Sequence, residues 1–348
     1  MKAPAVLLAV TTLALAAGCH QQQAVVVVYT SVDQVFSEPV LQEFAKRTGT
    51  RVNPVFDTEE TKSTGILNRI IAEAASPRAD VFWSNDPIRS LVLVRRGLVQ
   101  AYRSPAAAGI PASFKAPDGS WIGFSARARV LLVNTRALGD LRAPSGILDY
   151  TDPRFRGRAA IANPAFGTTT VHLAALFTAW GEQKARRFLD ELRRNQVRLA
   201  SSNGEVKRLV ENGEVIFGLV DTDDAAVALA NGSPVKVIYP DQEGLGTLLL
   251  PTTVVMIKGA PHPEAGRRLI DFLVSADSER LLAFAPCRQI PLRPGVPVPA
   301  GMRTPDHFKT MKVDYGRLAE ALERIHPLLR DWAEGQPAGQ PAAGQVDH

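Results

Sequence analysis

The densest chemistry in the chain is Asp221-Thr222-Asp223-Asp224, three carboxylates within four residues, directly after the apolar run 215–220. Like charges this close repel, so a folded protein keeps them where solvent, backbone N–H groups or a bound cation offsets the charge. Two uses fit. Acids at a helix N-terminus interact favourably with its dipole, and residues 225–230 can form that helix; alternatively, at least one of Asp221, Asp223 and Asp224 faces a ligand.

A second candidate is Phe166-Gly167-Thr168-Thr169-Thr170, a glycine and three hydroxyls where a helix should begin. Exposed N–H groups with threonine hydroxyls make a seat for an anion or carboxylate, although hydroxyl capping alone explains many such runs. Arg127 and Arg129 alternate on an expected strand and so share a face. They either pair with buried acids or counter an anionic ligand. Tyr239-Pro240-Asp241-Gln242 is a weaker candidate.

Catalysis finds no comparable support, and no enzymatic activity is expected. The chain has no Gly-x-Ser-x-Gly elbow, His-Glu-x-x-His, phosphate-binding Walker loop or Cys-x-x-Cys pair, and its 6 histidines are scattered.

These residues need a scaffold, and the hydrophobic pattern supplies one. Residues 25–29 read as a buried strand emptying into a loop with Ser31 and Asp33, followed by a helix that Ser37 would cap. The unit repeats: strand 51–56, a loop with Thr58 and Glu59, helix 64–75, then strand 79–83 and a loop with Asn85 and Asp86. Alternating strands and helices imply an α/β fold with parallel sheets, in which ligands sit beyond the carboxyl ends of the strands. Each polar loop residue alone is ordinary turn chemistry. Their shared position makes the group a binding candidate.

Strand 124–134 and a Pro/Gly-rich stretch lead to a second series: strand 159–162, helices 172–180 and 182–195, strand 197–200, helix 205–212 and strand 215–220. Strands at 235–239 and 248–257, a helix pair at 263–284, irregular chain at 285–313 and a helix at 315–332 complete the body. The Gly/Pro/Ala/Gln-rich tail 334–348 is expected to be disordered.

A length of 348 residues allows two cores. The formal charge of +5 comes from scattered arginines without dense basic blocks or interleaved aromatics, so nucleic acid is not an expected partner. Lys2, an uncharged apolar run over residues 3–17 and small residues leading into Cys19 read as a lipoprotein signal. The run is about 15 residues, short of the roughly 20 that span a bilayer. Residues 1–18 would be removed, Cys19 lipidated and residues 19–24 left as a tether, placing the protein in the periplasm or on the outer face of a bacterial membrane. Cys287 is then the remaining thiol, and no internal disulfide can form.

Taken in order, the segments VVVYTSVDQVF, PRADVFWSND, GFSARARVLLVNT, NPAFGTTT and KGAPHPEAGRRLIDFLVS resemble the periplasmic solute-binding proteins of ABC importers, in the branch that includes ferric-ion-binding proteins. The resemblance covers nearly all of residues 24–332. It implies a monomer with a two-lobed periplasmic-binding-protein fold (type II-like), each lobe a mostly parallel sheet flanked by helices, with a ligand cleft between. The first lobe would take residues 25–125 and 251–290, and the second 126–250 and 291–333, with the final segment packed on the second lobe.

Ferric-binding members of that family hold metal with tyrosines from a second-lobe loop, a His and a Glu from the first lobe, and a synergistic anion at a helix start. Here Asp223 and Asp224 fall at the tyrosine positions, Asp33 at the His and Asn85 at the Glu, while the anion seat Gly167 to Thr170 is kept in kind. The resemblance therefore implies delivery to an ABC permease and its ATPase. Its cargo would be a hard cation such as Fe(III), or a metal complex, on Asp33, Asp223 and Asp224, since carboxylates are also hard donors. The same acids suit an organic cation or zwitterion, such as an amine or phosphonate-like solute, and the same fold can serve a ligand-sensing receptor.

Overall fold

The computed structural model describes residues 23–57 and 65–335; Cys19, the signal segment, Thr58, Glu59 and the tail beyond residue 335 lie outside them. The first half of the chain forms β1 (Val25–Thr30), α1 (Gln34–Thr48), β2 (Arg51–Phe56), α2 (Gly65–Ala72), β3 (Val81–Ser84), α3 (Pro87–Arg95), β4 (Val99–Gln100), β5 (Ile122–Asn134), α4 (Thr135–Leu138) and β6 (Ala159–Ala162). Then follow α5 (Gly167–Trp180), α6 (Glu182–Arg194), β7 (Arg198–Ala200), α7 (Asn203–Glu211), β8 (Phe217–Asp221), α8 (Thr222–Ala230), β9 (Val235–Ile238) and β10 (Leu249–Ile257). The last helices are α9 (Pro263–Leu273), α10 (Ala276–Phe284) and α11 (Tyr315–Glu334).

The strands run in the order β2-β1-β3-β10-β5-β8-β6-β7, with β4 on β10 and β9 on β5. Two parallel groups result: β1 lies between β2 and β3, and β6 between β7 and β8. The strands joining them, β10 and β5, are antiparallel to their neighbours. Strand β5 links the halves because its first part pairs with β10 and its last part with β8 and β9. Its apolar residues are buried along almost the whole length, as a strand covered on both faces requires.

Helices α1, α9 and α10 cover one core around Val28, Phe44, Trp83 and Phe124. Burial of Phe44 and of Phe124 contributes roughly 1.5–3 kcal/mol each. A second core, around Leu132, Val206, Leu209 and Val220, lies under α7 and α8. The third runs from Phe82 and Leu91 through Phe177 to Leu318 and Trp332, so it serves both parallel groups. Helix α11 accordingly packs against α5 and also against α3, rather than on the second group alone, because its apolar face meets both. Among the described residues no helix is long and apolar enough to cross a membrane.

The chain crosses between the groups at a segment with unusual geometry. Ser125 in β5 adopts φ +49°, and Ala126 exchanges two backbone hydrogen bonds of 2.7 Å with Ile290. Buried Glu279 ties the crossing segments together: its Oε1 accepts from Ser125 N at 3.0 Å and Leu292 N at 2.7 Å. This knot fixes the register with which β5 next presents Arg127 and Arg129.

Candidate functional site

Strand β8 ends at Asp221, which occupies the N-cap of α8. Asp223 and Asp224 lie in the first turn, where the helix dipole favours acids. Asp224 Oδ2 reaches back to accept from Asp221 N at 3.4 Å, and Asp223 Oδ1 accepts from Asp224 N at 3.0 Å. One carboxylate oxygen from each of the three acids falls within a group spanning 4.8 Å.

The register between β5 and β8 sets Arg129 opposite Asp221. Arg129 Nη1 donates to Asp221 Oδ1 at 2.6 Å, and Arg127 Nη1 donates to Asp221 Oδ2 at 3.0 Å. Both oxygens of Asp221 are thus engaged by guanidinium groups, and the side chain is buried. Of the three acids, at least one of which is expected to face a ligand, Asp221 neutralises arginines, while Asp223 and Asp224 are half-buried.

Electrostatics separate the three carboxyls. Burial alone would raise Asp221, but Arg129 and Arg127 hold it below its ordinary value. Asp223 is raised by burial, with Arg127 opposing and Asp221 adding to the shift. Asp224 is pushed up to about 7 by burial, Asp223 and Asp221 in that order. Near neutral pH the rim pair therefore retains a proton for part of the time.

The other arginine contacts are equally directional. Arg129 donates to Thr168 Oγ1 at 2.9 Å and to Thr169 Oγ1 at 3.1 Å, so the start of α5 is pinned to Asp221 through one guanidinium. Gly167 opens that helix at φ +73°, a conformation that favours glycine. Thr168 Oγ1 also accepts from Asn203 Nδ2 at 2.9 Å, and Thr170 is buried. Two hydroxyls of the anticipated anion seat thus already serve an arginine, leaving the backbone at Gly167 and Thr168 as its outward part.

From the first parallel group, the carbonyl of Asn85 accepts from Arg127 Nη2 at 2.9 Å. Ser31 and Asn85 hold each other, with Ser31 Oγ donating to Asn85 Oδ1 at 3.2 Å and accepting from Asn85 N at 3.1 Å. Asp33 precedes α1 without a capping bond from its side chain and adds to the negative field felt by Arg127. Ser37, expected as the cap, lies inside α1 and donates to Val32 O and Asp33 O, because the helix begins at Gln34. Ser31, Asp33, Asn85, Arg127 and the α8 acids are thereby brought to one place.

Asp86 is different. It caps α3, accepting from Ile88 N at 2.8 Å and Arg89 N at 3.3 Å, and pairs with the Arg89 side chain. Its buried carboxylate does turn and helix work, so it is not a ligand-facing group.

Two residues were not anticipated from sequence. Asn203 follows β7, a parallel strand-end position like the others, and its buried Oδ1 has no partner among the described residues. His172 is buried behind Arg129 with both ring nitrogens unpartnered among the described residues, and burial followed by Arg129 lowers it to about 3. Helical periodicity could not distinguish it from core.

Residues 76–315 match the family model described as "Bacterial extracellular solute-binding protein". "Iron uptake protein A1" from Synechocystis is 28% identical over 325 residues, covering 89% of this chain and 87% of that protein. A "Putative 2-aminoethylphosphonate-binding periplasmic protein" from Salmonella typhimurium is 24% identical, covering 92% and 91% respectively. Among solved structures, apo ferric ion-binding protein A from Pasteurella haemolytica superimposes with a TM-score of 0.78 at 23% identity, over 88% of this chain and 97% of that one.

Proposed function

The chain belongs to the bacterial extracellular solute-binding proteins, with the two-lobed α/β fold of the ferric-binding branch, and from that premise we propose that it captures a cation-bearing solute between its lobes for an ABC permease and ATPase. Its relatives are named for uptake and binding rather than catalysis. In this reading the mature protein is a monomer held by lipid on Cys19, in the periplasm or at the outer face of the membrane.

The observation that carries the ligand class is the rim pair Asp223 and Asp224: two close carboxylates with raised pKa values, whose mutual repulsion a positive charge would offset. With Asp221 engaged by arginines, the protein offers those two acids and Asp33. A hard cation normally takes about six oxygen donors. Fe(III) or a similar ion would therefore arrive as a metal complex, or with an accompanying anion at Gly167 and Thr168.

A zwitterionic organic solute is the second reading, favoured by Arg127 Nη1 lying 3.8 Å from Asp223 Oδ2. Opposite charges so placed suit an ammonium and an acid on one molecule, as in an aminophosphonate.

Native mass spectrometry with elemental analysis, on protein purified without chelators, separates these readings. A bound metal supports the first, and an organic mass without metal the second. A protein that arrives empty, and whose melting temperature no metal, metal complex, amine or phosphonate raises, would overturn both.

A further inference from the structure

Among the described residues six large apolar side chains are exposed, and three of them, Val227, Leu229 and Phe284, line one depression. It runs along α8 from Thr222 to Asn231 and is closed on its other sides by β9 and by chain from 284–302. Its volume is about 730 Å³, within the roughly 300–1,000 Å³ of small-molecule sites. Such a concavity is lined by apolar groups with a few polar ones, and here Ala226, Leu229, Tyr239, Phe284 and Met302 provide the apolar part.

Besides the neutral Thr222 and Asn231, the polar part is cationic. Arg288 lines the depression and is held at φ +46°, a conformation uncommon for arginine that clusters at ligand clamps. Arg303 places its guanidinium 5.5 Å from the Tyr239 ring centre, beside the same wall. Both are exposed, and neither has a carboxylate partner among the described residues. Asp223 and Asp224 do not line this space, although their neighbours Thr222 and Ala225 do, so it adjoins the site described above.

We propose that the depression beside α8 is a second binding site, for a small organic anion with an apolar body: the body lies on Leu229, Tyr239 and Phe284, and the acid group meets Arg288 and Arg303. Because α8 also carries Asp223 and Asp224, an occupant touches the helix that presents the cation site.

Anilinonaphthalene sulfonate, titrated into the folded full-length protein and followed by fluorescence, tests this. Saturable binding of one probe per chain is expected. Arg288→Ala should weaken it at least about tenfold, the loss of one charge-assisted contact. Leu229→Glu, at a side chain that is 51% exposed and so tolerant of polarity, should abolish it. Phe284→Ala, at a side chain 53% exposed, gives a second test should the first variant misfold. Binding that never saturates, that survives Leu229→Glu and Phe284→Ala unchanged, or that is matched by uncharged phenylnaphthylamine overturns the proposal. The cation site is read separately, by metal analysis.

Discussion

Arg129 and Asp221, 92 residues apart in sequence, meet through a 2.6 Å hydrogen bond with both side chains closed to solvent. The pair neutralises Asp221 within the Asp221-Thr222-Asp223-Asp224 run and leaves Asp223 and Asp224 half-buried. It also joins α8 to α5, since the same guanidinium holds Thr168 and Thr169.

Removing Arg129 leaves the buried Asp221 with Arg127 as its remaining cation, and removing Asp221 leaves the buried Arg129 without a carboxylate. Arg129→Met should lower unfolding free energy by about 3–5 kcal/mol. Arg129→Met with Asp221→Ala should recover part of the loss, since the carboxylate left with Arg127 alone goes too. Urea melts of the two variants check this, and a loss under about 1 kcal/mol for Arg129→Met would show that the charge network is not structural.

Stability of the ligand-free protein should carry a pH signature from Asp224. Its folded pKa, about 7, is above the 3.8 of an ordinary aspartate, so the unfolded chain releases this proton first as pH rises. The group therefore makes the fold progressively less stable between these values and exerts its full penalty above 7. Asp224→Asn removes the effect, and its melting-temperature advantage over the parent should widen from pH 4 to pH 7. A gap that stays constant would mean that the carboxyl titrates normally.

His172 acts in the opposite sense. Its folded value of about 3 lies below the ordinary 6.5, so its neutral burial is without penalty above 6.5, and stability is lost as pH falls toward 3. His172→Phe should flatten the acid side of the melting profile. An unchanged acid limb would remove His172 as the cause.

Cation capture should expel protons. Since Asp223 and Asp224 hold raised pKa values, a cation seated on them favours their ionised forms, and affinity should climb with pH up to about 7 and then level. Calorimetry in buffers of different ionisation enthalpy reads the released protons. Identical heats in all buffers would place the cation elsewhere.

The crossing segment offers a further check at Glu279, whose carboxylate accepts from Ser125 N and Leu292 N and lies 3.4 Å from Arg293 Nε. Glu279→Leu leaves those buried donors unmatched, at about 1–3 kcal/mol each. Small-angle scattering should also show a broader spread of lobe separations. A variant with parent-like stability and scattering would show that the crossing strands hold themselves.

Much of this architecture was legible locally. Apolar runs such as 215–220 mark strands by their own neighbours, and the acids after Asp221 mark a helix start because the dipole rewards them there. The polar loops at successive strand ends, from Ser31 to Asn85, could be read as a group for the same reason. What stayed hidden depends on partners far along the chain. Asp86 and Asp221 look equally able to face a ligand until one is found capping α3 and the other between two arginines. Strand β10 gives no local sign that it runs antiparallel beside β3 and β5.

The sequence by itself determined the alternation of strands and helices, the polar chemistry at strand ends and the excess of acid before α8, because each depends on residues within one or two turns of each other. Only the tertiary structure decided which carboxylates are neutralised internally and which are left at the rim. That outcome is set by strand order and register, which bring Arg129 across from Asp221, and by burial, which separates otherwise identical aspartates according to the charges packed against them.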